Sequence, residues 1–234
     1  MRFSRWRAAG NEYLLAERAE PGELLTAEDV RAEVGESDGI LEVVSAEGAE
    51  AEIVIWNPDG SVAEMSGNGT RIAARWLAER TGEDEITIRV GEREVRARLL
   101  DGGEIEQELG PVEVYERERV AGLDVVAVSV GNPHAVVVGD PDDLPLIGPL
   151  LETHPRYPDR TNVQVARVDG PGRVTARVWE RGVGETLSSG TSAVAVAAAT
   201  HGEGDVVVSF PGGDLRVRLE HGRALLVGHA EQVD

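Results

Sequence analysis

The 234-residue sequence contains no cysteine, which excludes disulfides, thiolate-zinc sites and cysteine nucleophiles together. It contains no lysine either, all 23 basic residues being arginine, so a pyridoxal phosphate Schiff base cannot form on this chain. Aromatic residues make up only 4%, and the core must be packed mostly from Val, Leu, Ile and Ala. Positive charge is scarce. Against 43 acidic residues it leaves a formal net charge of -20, which argues against a nucleic-acid partner, because that affinity rests on Lys and Arg neutralising phosphates. No apolar run approaches the roughly 18 residues of a membrane span, and the segment from Met1 to Arg7 leads into polar sequence instead of a signal. His154, His201, His221 and His229 show no metal-ligand spacing. The expectation is a globular cytoplasmic protein without metal, membrane or nucleic-acid partner.

Two stretches stand out among what is present. Asn57 to Arg71 and Trp179 to Thr191 are both polar, Gly-rich turns that deliver a Ser-Gly pair, Ser66-Gly67 and Ser189-Gly190, onto an Ala-rich apolar run. The first N–H groups of a helix have no intrahelical partner and the helix dipole is positive there. Each turn is therefore an anion site with a hydroxyl beside it. Two such turns in one chain suggest a single cleft between two related halves, and the length allows two domains of about 110 residues.

Strand signals dominate and repeat. Met1–Glu17 reads as two strands around a turn at Ala8 to Asn11, Thr26–Val34 as a short helix capped by Thr26, and Ile40–Val44 and Ala51–Trp56 as strands. Thr70–Arg80 reads as a helix with Ile72, Ala73, Trp76 and Leu77 on its apolar side, followed by a hairpin around Gly91-Glu92. The second half gives strands at Val125–Val130, Ala135–Val138, Asn162–Val168 and Arg173–Glu180. A short helix at Asp142–Leu151, a helix at Thr191–Thr200 and closing strands at Val206–Phe210 and Leu215–Leu219 complete it. Gly110 to Gly122, with Pro111 and a charged run, reads as an interruption between halves. We place the domains at 1–112 and 113–220, with 221–234 a closing segment returning to the first half.

These residues carry a family resemblance. Asn57 to Arg71, Gly131-Asn132-Pro133-His134, Thr161-Asn162-Val163 and Glu180 to Thr191 resemble diaminopimelate epimerase, as do Gly10-Asn11-Glu12-Tyr13 and Pro211 to Leu215. The likeness spans nearly the whole chain. It implies an α/β (α+β) fold of two pseudo-symmetric domains, each a mainly antiparallel sheet wrapped around a central helix. It also implies a homodimer, and a cofactor-independent isomerase that interconverts LL- and meso-diaminopimelate in lysine and cell-wall precursor biosynthesis. The family's two catalytic thiols, one base and one acid, belong at the positions of Ser66 and Ser189. Gly67, Asn68, Gly190 and Thr191 would hold the reacting carboxylate. Asn11 and Glu180 would orient the amino group, and Asn57, Asn132, Asn162 and Arg181 would recognise the distal end. A Gln common in the family falls at Gly39 here.

The departure at the two serines is chemical. A catalytic base works best with a pKa near the operating pH, and a thiol at ~8.5 is within reach of that. An alcohol near the ~15.7 of water is roughly 7 units away, about 10 kcal/mol at ~1.36 per unit, and a helix dipole supplies at most ~2 kcal/mol. Three readings stay open. In the first, the thiols of an epimerase have been replaced, leaving binding intact and turnover low or lost. In the second, a divergent racemase, isomerase or dehydratase of the same fold uses Glu64, Glu185 or His134 as base. In the third, the chain is a non-catalytic amino-acid-binding protein. A Ser before Gly at a helix start is also, by its commonest role, an N-cap.

Overall fold

The computed structural model describes residues 1–17 and 24–233. The chain divides into two compact units, Met1–Glu108 with Val227–Asp234, and Leu109–Leu226. The first unit contains β1 (Arg2–Ala8), β2 (Asn11–Glu17), α1 (Ala27–Glu33), β3 (Gly39–Glu47), β4 (Glu50–Trp56), α2 (Gly67–Thr81), β5 (Glu85–Val90), β6 (Arg93–Leu99) and most of β7 (Glu104–Pro111). Antiparallel β1–β2 is followed by parallel β2–β3, antiparallel β3–β4, parallel β4–β5 and antiparallel β5–β6. The sheet wraps α2, whose Ile72, Ala73, Ala74, Trp76 and Leu77 are buried against Leu15, Leu41, Ile53, Ile55 and Ile88. α1 forms where the sequence places it. Thr26 and Asp29 make a reciprocal capping box that satisfies two otherwise unpaired N–H groups.

The second unit contains β8 (Glu113–Val120), β9 (Leu123–Ser129), β10 (Pro133–Val138), α3 (Leu144–Glu152), β11 (Asn162–Gly170), β12 (Arg173–Glu180), β13 (Gly184–Thr186), α4 (Gly190–His201), β14 (Gly204–Phe210) and β15 (Gly213–Glu220). β16 (Arg223–His229) runs across the unit boundary, and β17 (Glu231–Gln232) pairs with β1 in the first unit, Trp6 opposite Gln232. The pairing repeats that of the first unit. Antiparallel β9–β10 is followed by parallel β10–β11, antiparallel β11–β12, parallel β12–β14 and antiparallel β14–β15. α4 is apolar on every side, Ala193 to Ala198 all being buried, so it is a helix surrounded by sheet and not one lying on its surface.

The repeat explains where functional side chains must fall. In each unit a central helix lies in the crossover between two parallel strands, α2 between β4 and β5 and α4 between β12 and β14, so each Ser-Gly turn falls in the segment that leads from the first strand to its helix. One local expectation is corrected. The charged segment after Pro111, which the sequence predicts to be an interruption between halves, is strand β8, paired antiparallel with β9 through a register shift between Val114 and Arg117. Its residues from Glu113 to Arg117 are exposed on both faces, and only Val120, at its end, is buried. A strand wetted on both faces has no alternation to show.

Candidate functional site

At the start of α2, Ser66 is extended and caps the helix, its Oγ accepting from the Gly69 N–H at 3.0 Å and lying 3.2 Å from the Tyr13 hydroxyl of β2. Asn68 is buried and donates through Nδ2 to Asn11 Oδ1 at 2.5 Å, while its own Oδ1 accepts from Arg71 Nη2 at 2.5 Å. Gln107 of β7 closes the group from below. With its amide oxygen toward the helix, it accepts from the Arg71 N–H at 3.0 Å and the Thr70 hydroxyl at 2.8 Å, and donates to the Gly67 carbonyl at 3.1 Å. Asn11, Ser66, Gly67 and Asn68 are thus brought together. Tyr13, Arg71 and Gln107 join them, three residues that have no role in the sequence reading.

The start of α4 differs in one respect. Ser189 makes no side-chain cap and its Oγ lies 3.5 Å from Thr191 Oγ1. Both serines thus occupy the N-cap position, but only Ser66 caps its helix with the side chain. Thr191 also lies 3.5 Å from Asn132 Nδ2, and Asn132 Oδ1 is 2.9 Å from His134 Nε2. His134 Nδ1 is 3.0 Å from the Gln164 amide nitrogen, which also reaches Ser192 Oγ at 2.9 Å. Since the Gln164 nitrogen can only donate, His134 is the tautomer with its proton on Nε2, donating to Asn132 Oδ1. Burial pushes the His134 pKa down to about 3. The Gln164 contact opposes this and the Arg181 charge adds to it, so His134 is a neutral strut at any ordinary pH.

The turn after β12 is held from two sides. Asn162 Oδ1 accepts from the Arg181 N–H at 3.0 Å while its Nδ2 donates to the Pro133 carbonyl at 3.0 Å. Glu152, at the end of α3, accepts from the Gly182 N–H and the Trp179 indole, both at 2.8 Å, and from Arg160 at 3.4 Å. Burial pushes its carboxyl up, but Gly182, Trp179 and Arg160 together hold it below the usual carboxylate range. Glu180 Oε1 accepts from the Thr186 hydroxyl at 2.6 Å. Glu152→Ala would leave the indole and a backbone N–H without their acceptor, each worth about 1–3 kcal/mol when buried. The expected loss is about 2–4 kcal/mol in urea unfolding, and a loss under about 0.5 kcal/mol would show that the turn holds itself.

The remaining sequence candidates have other settings. Asn57 donates to Ser61 Oγ within its own turn at 2.9 Å, and Glu64 is exposed. Glu185 is engaged by Arg177 at 2.7 and 2.9 Å. Gly39 has no space for a side chain, because a Cβ there would lie 2.3 Å from the Trp56 carbonyl and 2.9 Å from the Tyr13 ring. Among the described residues no cluster of three or more His, Asp or Glu is placed to hold a metal, and no helix is long and apolar enough to cross a membrane.

The sequence profile of the family described as diaminopimelate epimerase matches residues 14–115 and 126–232. A diaminopimelate epimerase from Synechocystis is 33% identical over 99% of this chain and 96% of its own. The chain belongs to the diaminopimelate epimerase family. Among solved structures, a PhzF-family phenazine biosynthesis protein from Bacillus anthracis is similar with a TM-score of 0.75 at 14% identity, covering 99% of this chain and 96% of that one. A hydroxyproline epimerase from Agrobacterium vitis gives 0.70 at 16% identity, covering 99% and 88%. At such identities these two share the fold alone. Membership of the diaminopimelate epimerase family makes the chain a relative of isomerases that act on a small molecule, on a sheet-dominated α+β fold whose two units repeat one topology.

The residues the sequence reading missed had a visible signal. Arg71 sits directly before the apolar stretch Ile72-Ala73-Ala74 of α2, and Gln164 stands between Val163 and Val165 where the first five residues of β11 are all buried. A polar residue inside a fully apolar run has to be hydrogen-bonded to something, and here it is bonded to the site.

Proposed function

We propose that this chain binds LL- and meso-diaminopimelate, and that as written, with hydroxyls at positions 66 and 189, it epimerises them slowly or not at all. The observation that carries this reading is that both Ser-Gly turns keep a polar setting suited to an anion and an amino group, while neither has a strong base within its hydrogen bonds. At Ser66 the partners are a backbone N–H and a phenol, and at Ser189 a threonine hydroxyl. In this reading Gly67, Asn68, Gly190 and Thr191 meet the reacting carboxylate, Asn11 and Glu180 the amino group, and Asn57, Asn132, Asn162 and Arg181 the distal end. The reaction would need no pyridoxal phosphate, which the absence of lysine supports. The assembly would be a cytoplasmic homodimer, to be measured by light scattering.

A second reading, a divergent racemase with another base, has less behind it. His134 with a pKa of about 3 is too weak a base near neutrality, and Glu185 is already paired with Arg177. Glu64 is the candidate that this reading would have to use.

Two measurements test the proposal. Melting should rise with millimolar diaminopimelate by mass action. Arg181→Ala should weaken that binding about tenfold through loss of a charge-assisted contact. In deuterium oxide, proton NMR should show little label entering the substrate Cα. Equal stabilisation by an unrelated amino acid would remove the diaminopimelate reading, and rapid labelling unchanged by Ser→Ala at both positions would hand the chemistry to another base.

A further inference from the structure

Arg71 is fully buried one turn into α2. Its guanidinium donates to Asn68 Oδ1 at 2.5 Å and to the His229 carbonyl at 3.1 Å. Both of these partners are neutral. Among the described residues no carboxylate pairs with it, and burial alone pushes its pKa down to about 10, which leaves it charged at neutral pH. A buried cation without a counter-charge is costly. Its place makes it more so: side chains on a helix lean toward the N-terminus, so the guanidinium is directed to the end where the dipole is already positive.

A second feature follows from the chemistry of the contact. Arginine has no acceptor, so the Asn68 atom facing it must be the amide oxygen, and the Asn68 nitrogen is thereby fixed as the donor to Asn11. One side chain therefore sets the amide orientation of two residues that the proposed function places on the substrate.

We propose that Arg71 is a positioning residue that supplies the standing positive charge of an anion subsite at the first turn of α2, acting through Asn68 without touching the ligand. This rests on the reading above, in which a substrate carboxylate meets Gly67 and Asn68. The bound carboxylate is the counter-charge that the fold itself withholds from Arg71. Anion binding at this turn therefore depends on the charge at position 71 more than on the shape of the side chain there.

The test compares the unmodified chain with Arg71→Lys, Arg71→Gln and Asn68→Asp, using meso-diaminopimelate and, separately, millimolar sulfate, with affinity read from melting. Lys and Gln both lose the guanidinium fork and differ in charge. Arg71→Lys should keep affinity within about threefold and Arg71→Gln should lose tenfold or more. Asn68→Asp places a carboxylate directly against Arg71. It should raise the ligand-free melting temperature while weakening both anions by a similar factor. Equal losses in the Lys and Gln variants, or unchanged affinity in Arg71→Gln, would overturn the inference. Should Arg71→Gln not fold, Asn68→Asp decides alone: a lower melting temperature with undiminished affinity overturns it. If sulfate follows this pattern and diaminopimelate does not bind, the proposed function fails and the role of Arg71 stands.

Discussion

Replacing both Ser66 and Ser189 by cysteine is expected to raise epimerisation of diaminopimelate by several orders of magnitude. A thiol is roughly 7 pKa units more acidic than an alcohol, about 10 kcal/mol in the cost of forming the base, and each ~1.36 kcal/mol of barrier is tenfold in rate. The surroundings add to this unequally. A thiolate at position 66 would accept from the Gly69 N–H and the Tyr13 hydroxyl, which now meet Ser66 Oγ at 3.0 and 3.2 Å, and hydrogen bonds to the charged form lower a pKa. Among the described residues, the hydrogen-bond partner at position 189 is the more distant Thr191 hydroxyl, at 3.5 Å. Each single variant should fall far short of the double one, because inversion needs one group to remove the proton and another to return it from the opposite side. A single thiol should still exchange substrate hydrogen for deuterium in one isomer. The measurement is circular dichroism of the isomer mixture together with NMR of label at Cα. A double variant no faster than the unmodified chain would show that these positions are not the bases.

Acidification is expected to destabilise the fold through His134. Its folded-state pKa of about 3 lies below the ordinary 6.5, so between these values the unfolded chain binds a proton that the folded chain refuses. The stabilisation is therefore complete above pH 6.5 and is lost progressively as pH falls toward 3, at up to about 1.4 kcal/mol per pH unit. His134→Gln should flatten the dependence of urea midpoint on pH between about 6.5 and 4, whatever it does to stability near neutrality. A slope in that window identical in both proteins would mean that His134 does not carry it. Glu152 shifts in the same direction by another route. Its carboxyl is held below the usual range, so its contribution is present above the unfolded value and is lost only as pH falls through the lower, folded one. The two effects separate because histidine begins to act about two pH units higher.

What the sequence determined by itself was whatever local chemistry decides. Thr26 and Asp29 at capping-box spacing specify the start of α1, and the Val and Ile runs specify strands at β4, β10 and β11. Ser-Gly ahead of an Ala-rich run specifies the starts of α2 and α4, and the order of these motifs carries the family. Strand β8 was not legible, because a strand exposed on both faces has no period-two pattern and is held by pairing with β9, a contact that exists only after the chain has folded. The wiring of the two turns was equally a matter of tertiary structure. Ser66 and Ser189 stand in nearly the same local sequence, yet one caps its helix with the side chain and the other does not, and only the first has Tyr13 beside it, from a strand 53 positions away. Arg71 can be seen in the sequence, but that its buried guanidinium is met by a neutral acceptor depends on His229, 158 positions off. A pKa is set by which groups surround a charge and whether water reaches it. Those are properties of packing between distant segments, and no local pattern encodes them.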